Sequence, residues 1–313
     1  MQSKQERNGG DALQDLCARV RRFVDEVAIP AESPAIARDV AALDRCVARL
    51  RVQAREAGLY APQLPGEWGG LGLGWRGLAQ VLEEAGRGFL GPAALNCAAP
   101  DQPNMLTLLR LGNPEQQERF LAPLVQGAQR ACFAMTEPAP GAGSDPSMLR
   151  TRAERRGARW VLNGHKQFIS GGVGADFALV LARTDNAATL FLVPADTPGY
   201  RVVRDIGMVT GYQIGGHAEI LLQDCEVGDD AVLGEAGRGL EHAQLRLEPA
   251  RLSHCMRYIG RARRALETAQ AYVTQRESFG SRLADLQQIQ AMVADSHIDL
   301  HASRLMTLDC AGR

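Results

Sequence analysis

The chain has 313 residues, 45% of them hydrophobic and 23% charged, and carries a formal net charge of −1. That is enough to bury one or two real cores, and the charge is too balanced to favour nucleic acid or an anionic membrane surface. The seven cysteines, Cys17, Cys46, Cys97, Cys132, Cys225, Cys255 and Cys310, lie far apart without metal-ligand spacing. They read as reduced, small apolar residues of a cytoplasmic protein, and no metal is expected. No apolar run is long enough to span a bilayer, since residues 176–183 are closed at both ends by charge. The N-terminus mixes Lys4, Glu6, Arg7 and Asp11 and has no signal-peptide core.

In chain order, Leu16, Val20, Phe23, Val24 and Val27 recur at three- and four-residue spacing, one face of an amphipathic helix. A second such segment runs from Val40 to Arg55 and stops near Gly58. The stretch Leu64 to Gly72 is too rich in glycine to be an element and reads as a loop. Asn113 is placed to cap a further helix that Pro114 opens. From about residue 130 the period changes to two. Thr151 to Arg156 and Arg159 to Leu162 are short strands split by Gly157-Ala158, and Asn163-Gly164 is a tight-turn signal. Further strands are expected at Phe177 to Ala182, Thr189 to Val193, Arg201 to Arg204 and His217 to Leu222. Such spacing suggests a compact antiparallel barrel or sandwich. From about residue 238 long helices return, with stripes at Tyr258, Ile259, Ala262, Leu266, Ala269, Tyr272 and Val273, then at Leu286, Ile289, Val293 and Leu300. Two such helices cannot bury their stripes alone, so they read as half of a four-helix bundle. The expected domains are 1–129 helical, 130–237 β, and 238–313 helical.

The densest chemical signal is Phe133-Ala134-Met135-Thr136-Glu137-Pro138-Ala139-Pro140-Gly141-Ala142-Gly143-Ser144-Asp145, a strand end followed by a small-residue loop. Its backbone amides and hydroxyls could approach a flat or phosphorylated ligand closely. Taken alone, a structural turn explains Gly-Ala-Gly better. Phe168-Ile169-Ser170, an aromatic, an aliphatic and a hydroxyl in sequence, is the next candidate, and taken alone reads as an ordinary strand end. Arg276 and Arg251 are by default solvated charges.

Order and spacing add what no single segment supplies. A helix-rich start is followed by Met-Thr-Glu-Pro with Gly-Ala-Gly-Ser-Asp, then Asn-Gly-x-Lys, then long helices with Gln-Arg-x-x-Phe-Gly. This series resembles the acyl-CoA dehydrogenase family across roughly residues 40 to 313. Within that family it resembles the branch that animals fuse to a kinase-like domain. The local matches are Gly215-Gly216-His217-Ala218-Glu219 and Pro249-x-Arg251-x-x-His254-Cys255-Met256-Arg257.

The resemblance implies an α+β multidomain fold: an N-terminal helical domain, a middle antiparallel β-barrel or sandwich, and a C-terminal four-helix bundle that is incomplete here. It implies FAD, lined by Phe133, Met135 and Thr136 and covered by Phe168, Ile169 and Ser170, with the Thr136 hydroxyl at the pyrimidine edge and Ser170 within reach of N5. Ser144, Glu248 and Arg251 match positions that meet the acyl-CoA substrate. Arg276, Phe279 and Gln287 match positions that reach the FAD of a neighbouring subunit, which implies a homo-oligomer or a partner-completed assembly. An electron-transfer flavoprotein is the implied electron acceptor. One departure is that Ala139-Pro140 lengthen the loop by two residues against the commonest pattern.

The implied reaction is α,β-dehydrogenation of an acyl-CoA thioester to the trans-2-enoyl-CoA, with a carboxylate taking the α-proton. In most members that base would lie beyond Arg313; in others it sits at the position of Ala250, which cannot serve. Glu248 is the nearest carboxylate, at a CoA-facing position. The 313-residue chain is therefore expected to lack turnover. Two alternatives stand beside this: a non-catalytic flavin- or acyl-CoA-binding subunit completed by a partner chain, and a flavin monooxygenase of the same fold.

Overall fold

Helices α1 (Gln2–Phe23), α2 (Pro34–Arg38), α3 (Val40–Glu56), α4 (Trp75–Ala85), α5 (Gly91–Ala94), α6 (Asp101–Leu111), α7 (Pro114–Gln116) and α8 (Ala122–Gln126) open the chain. Strands β1 (Ala131–Ala134), β2 (Arg152–Arg156), β3 (Arg159–Ser170), β4 (Phe177–Thr184), β5 (Ala187–Pro194), β6 (Tyr200–Asp205) and β7 (His217–Gly228) follow. Helix α9 (Gly239–Gln275), the hairpin β8 (Glu277–Ser278) and β9 (Ser281–Arg282), and α10 (Gln287–Cys310) complete the order. This computed structural model describes residues 2–185, 187–207 and 214–313, the side chains of 2–9 and 34 excepted. The sequence of helical, β and helical zones is the one expected. No helix among the described residues is long and apolar enough to cross a membrane.

Local chemistry accounts for several elements directly. Val20, Phe23 and Val24 of the first apolar stripe are buried, as are Leu43, Cys46, Val47, Leu50 and Ala54 on α3. Asn113 caps α7 in a reciprocal box: its Oδ1 accepts from the Gln116 amide at 2.8 Å, and Gln116 Oε1 accepts from the Asn113 amide at 3.2 Å.

The chain divides into two compact units, Met1–Glu32 with Val47–Cys97 and Arg251–Arg313, and Ser33–Cys46 with Ala98–Ala250. The second holds a seven-stranded sheet in the order β1-β4-β2-β3-β7-β6, with β5 on β4. Inward side chains from all seven strands, among them Cys132, Ala153, Leu162, Val180, Phe191, Tyr200 and Ile220, share one core cluster. A sheet whose strands all face one core must curl around it. Pairings β2/β3, β3/β7, β4/β5 and β6/β7 are antiparallel, while β1 and the start of β2 run parallel to β4. The sheet is thus mixed rather than wholly antiparallel, because β1 and β4 are not chain neighbours and need no hairpin between them.

The expected turn at Asn163-Gly164 does not form. The hairpin closes at Gly157-Ala158 instead, where Arg156 pairs with Arg159, and β3 continues through Asn163 and Gly164 as a register shift against β7. Asn163 exchanges hydrogen bonds with Asp224, and a Cβ on Gly164 would lie 2.3 Å from Thr151 Oγ1. The glycine answers a close approach inside a strand, a bulge signal that resembles a turn signal in sequence.

In the helical unit α9 meets α4 at backbone distance. A Cβ on Gly260 would stand 1.8 Å from the Glu83 carbonyl oxygen. Charges seal the same contact: Arg263 pairs with Glu83 and Glu84, Arg304 reaches Glu83 at 2.7 Å, and Arg87 binds Asp25 at 2.9 Å and Glu267 at 2.8 Å. Gly260→Ala is expected to destabilise the protein by about 1–3 kcal/mol, since the backbones must separate. Urea denaturation followed by circular dichroism checks this, and an unchanged midpoint would refute the contact.

Candidate functional site

The two candidate segments lie side by side in the sheet unit. Cys132 and Ala134 point into the core from β1, so Phe133 and, just past the strand end, Met135 occupy the opposite face, half-buried. Gln167 donates its amide to the Thr136 carbonyl at 3.0 Å, and Thr136 Oγ1 donates to the Gln167 carbonyl at 2.5 Å. These reciprocal bonds hold 133–136 against 168–170. The Thr136 hydroxyl proton is thereby committed, and what its oxygen offers a ligand is lone pairs.

Phe168 is the anomaly of the site. Its φ is +58°, rare for a bulky side chain, and it is 60% exposed at a register shift between Lys166 and Ile169. An exposed aromatic in a strained conformation marks a place where function competes with stability. Ile169 is 1% exposed and belongs to the core, so its side chain faces away from any surface ligand and only its backbone is available. Ser170 is partly exposed, its Oγ 3.4 Å from Nδ1 of His217.

Beneath these segments sits a buried ion pair that the sequence did not flag. Lys166 Nζ lies 2.9 Å from Glu137 Oε1 and donates to the carbonyls of Met135 at 3.1 Å and Leu181 at 2.8 Å. Glu137 also accepts from the amides of Ala142 (3.2 Å), Arg150 (2.8 Å) and Thr151 (2.9 Å) and from the Thr151 hydroxyl (2.5 Å). The Gly-Ala-Gly loop is therefore pinned from inside by the glutamate of Met-Thr-Glu-Pro. Burial favours the neutral carboxyl, but Lys166, the Thr151 hydroxyl and the two amides outweigh it and hold Glu137 down at about 2. Burial likewise pushes the Lys166 ammonium below its ordinary value, against the pull of Glu137. The one sequence signal was their place in the quoted motifs, Glu137 in Met-Thr-Glu-Pro and Lys166 in Asn-Gly-x-Lys.

The remaining candidates are more open. Ser144 is exposed on the loop, Glu248 and Arg251 are exposed on α9, and Ala250 between them is partly buried. Arg276, Phe279 and Gln287 belong to the helical unit, the first two on the connection between α9 and α10 and Gln287 as the first residue of α10. Phe279 and Gly280 both have positive φ, +53° and +81°, at the tip of the β8–β9 hairpin, and Phe279 is fully exposed. Arg276 and Gln287 are also exposed.

Comparison with known proteins agrees with this architecture. Family models for the acyl-CoA dehydrogenase N-terminal, middle and C-terminal domains match residues 10–128, 132–225 and 237–313. A structure from Mycobacterium abscessus assigned to the acyl-CoA dehydrogenases superposes with a TM-score of 0.88 at 34% identity, covering 96% of this chain and 79% of that one. The chain belongs to the acyl-CoA dehydrogenase family. Acyl-CoA dehydrogenase family member 11 of Gallus gallus is 37% identical over 278 residues, 85% of this chain and 35% of that protein. A glutaryl-CoA dehydrogenase from Mycobacterium smegmatis, solved with FADH2, superposes at TM-score 0.78 and 28% identity, covering 96% of this chain and 75% of that one. The chain spans 30 to 40% of the length of the vertebrate family 10 and 11 members it matches.

Two outcomes follow from the buried pair. Lys166→Met strands the Glu137 charge and is expected to cost about 3–5 kcal/mol in chemical denaturation. The Glu137 carboxyl is lowered from 4.5 to about 2, so its contribution is present above about pH 4.5 and is lost as pH falls towards about 2. Denaturation series across that window should show a shallower acid loss for Glu137→Gln than for the parent chain. Parallel slopes would mean that the carboxylate is not held as described.

Proposed function

We propose that this chain contributes the FAD and acyl-CoA sites of an enzyme that converts an acyl-CoA thioester to its trans-2-enoyl-CoA. The observation that carries the reading is the pairing of Thr136 with Gln167, which sets two half-buried apolar residues, an exposed aromatic and two hydroxyls side by side. Those residue types fit a flat, polar-edged ring. Phe133 and Met135 form an apolar ledge, Thr136 keeps lone pairs for a ring N–H, Phe168 and the backbone of Ile169 flank the ring, and Ser170 retains a hydroxyl for its edge. When bound, FAD supplies the two-electron acceptor for the hydride that leaves the β-carbon.

In this reading Ser144, Glu248 and Arg251 meet the CoA thioester. Arg276 and Phe279 on the α9–α10 connection and Gln287 at the start of α10 project towards the cofactor of a neighbouring subunit in a homo-oligomer. The chain divides near 129/130 and 237/238, acts in the cytoplasm, and passes electrons to an electron-transfer flavoprotein. The role of Ala250 and the exposure of Glu248 favour one second reading, a flavin- and acyl-CoA-binding subunit whose base comes from another polypeptide. An α-proton needs a carboxylate in a dry pocket, and Glu248 lies in water.

Reconstitution with FAD tests the site. The parent chain should bind FAD with a perturbed flavin absorption band, and Thr136→Ala with Ser170→Ala should weaken binding about tenfold or more. An unchanged spectrum and affinity in that double variant would remove these residues from the site. Turnover is tested separately with an artificial electron acceptor and acyl-CoAs of several lengths. Without a positioned base the 313-residue chain should run about a hundred- to ten-thousand-fold below a complete enzyme. Full turnover would make Glu248 or another carboxylate the base.

A further inference from the structure

His217 opens β7 opposite Ser170, the last residue of β3, and its ring nitrogen Nδ1 lies 3.4 Å from Ser170 Oγ. Ala218 and Ile220 are fully buried, so the alternation along β7 turns His217 and Glu219 to the outer face. The backbone there is held without help from the imidazole. The His217 amide donates to Asp205 Oδ1 at 3.1 Å, and its carbonyl accepts from the Ile206 amide at 2.8 Å. The amides of Gly171 and Val173 donate to the carbonyls of Gly216 and Gly215 at 2.9 and 2.8 Å. A Cβ on Gly215, whose φ is +69°, would stand 2.7 Å from the Gly171 carbonyl oxygen, so the two segments close up only because that position is glycine. Glu219 is engaged by His165 at 2.7 Å and by Arg204, and does not compete for the His217 ring. Among the described residues neither the Ser170 hydroxyl nor the His217 ring has another hydrogen-bond partner.

Ser170 has one proton and two lone pairs to distribute. If Nδ1 takes the proton, the serine oxygen turns only lone pairs to its free side. If Nδ1 carries the hydrogen, the serine proton is released for another acceptor. A flavin asks opposite things of that oxygen in its two states, because N5 is a bare acceptor when oxidised and an N–H donor when reduced. The imidazole therefore decides which of the two states the hydroxyl suits. We infer that His217 is a positioning residue that sets, through the Ser170 hydroxyl, the relative affinity of the site for oxidised and reduced flavin. Packing alone does not account for the imidazole, since Asp205 and the Gly215 and Gly216 carbonyls already fix the chain beside Ser170. The inference rests on the reading above that Ser170 faces the flavin edge.

The test measures the midpoint potential of FAD bound to the reconstituted protein. His217→Leu should change the ratio of affinities for oxidised and reduced cofactor about three- to tenfold with FAD content unaltered, a shift of about 15–30 mV for two electrons. A fall in potential means that Nδ1 takes the serine proton in the parent chain, and a rise means that it donates. His217→Asn, which keeps an amide near the place of Nδ1, should restore most of the parent value. In a Ser170→Ala background His217→Leu should have no effect. A shift that persists without the serine hydroxyl, or no shift with it present, overturns the inference. Ser170→Ala separates this from the flavin reading: if it moves the potential while His217→Leu does not, the inference alone falls, and if it leaves the potential unchanged, Ser170 is not at the flavin edge and both fall. A measurement on the parent protein covers variants that fail to fold. In nitrogen-15 spectra of labelled histidines, the Nδ1 resonance displaced by Ser170→Ala should also move when the bound FAD is reduced; a resonance that stays in place overturns the inference.

Discussion

The pairing of Lys166 with Glu137 inside the sheet unit constrains everything around the candidate site. The two charges sit within 2.9 Å with almost no solvent exposure, so each is tolerable only while the other is present. Their remaining hydrogen bonds reach the end of β1 through Met135, the middle of β4 through Leu181, the Gly-Ala-Gly loop through Ala142, and the entry to β2 through Arg150 and Thr151. Four segments are thus fixed by one desolvated pair. Thr136 is the neighbour of Glu137 and Gln167 the neighbour of Lys166, so the bond between Thr136 and Gln167 follows from the pair beside it.

The same constraint explains the unusual conformation that follows. With Lys166 drawn inward and Ile169 required in the core, the two residues between them cannot keep a regular pleat. The register against β7 shifts there, and Phe168 is turned outward with positive φ. A regular strand would put Lys166 on the same face as Phe168 and Ser170 and opposite Ile169, so it could not bury both Lys166 and Ile169. The fold holds local strain in place with a network that is satisfied elsewhere.

Much of this organisation was legible in the sequence, for local reasons. The helical stripes on α1 and α3, the Asn113 cap and the Gly157-Ala158 turn depend on residues within a few positions of one another, and each formed as its spacing suggested. Family resemblance drew attention to Met135-Thr136 and Phe168-Ser170, which the structure sets side by side. The failures share one cause. Asn163-Gly164 looked like a turn because the glycine's reason, the approach of Thr151, is thirteen residues away in chain and invisible to a local rule. Lys166 and Glu137 drew no functional reading, since a charge on a strand or helix is by default solvated, and only their long-range partners reveal that they are buried. Ile169 appeared equivalent to its neighbours until the strand's inward and outward sides were known.

We propose that the flavin rests on the surface between 133–136 and 168–170. Density for the cofactor in a crystal or cryo-electron microscopy structure of FAD-saturated protein tests it most directly. The claim predicts the isoalloxazine ring in contact with Met135 and Thr136 on one side and with Phe168 and Ser170 on the other. A ring bound elsewhere on the chain, or no ordered flavin at saturating FAD, would contradict it.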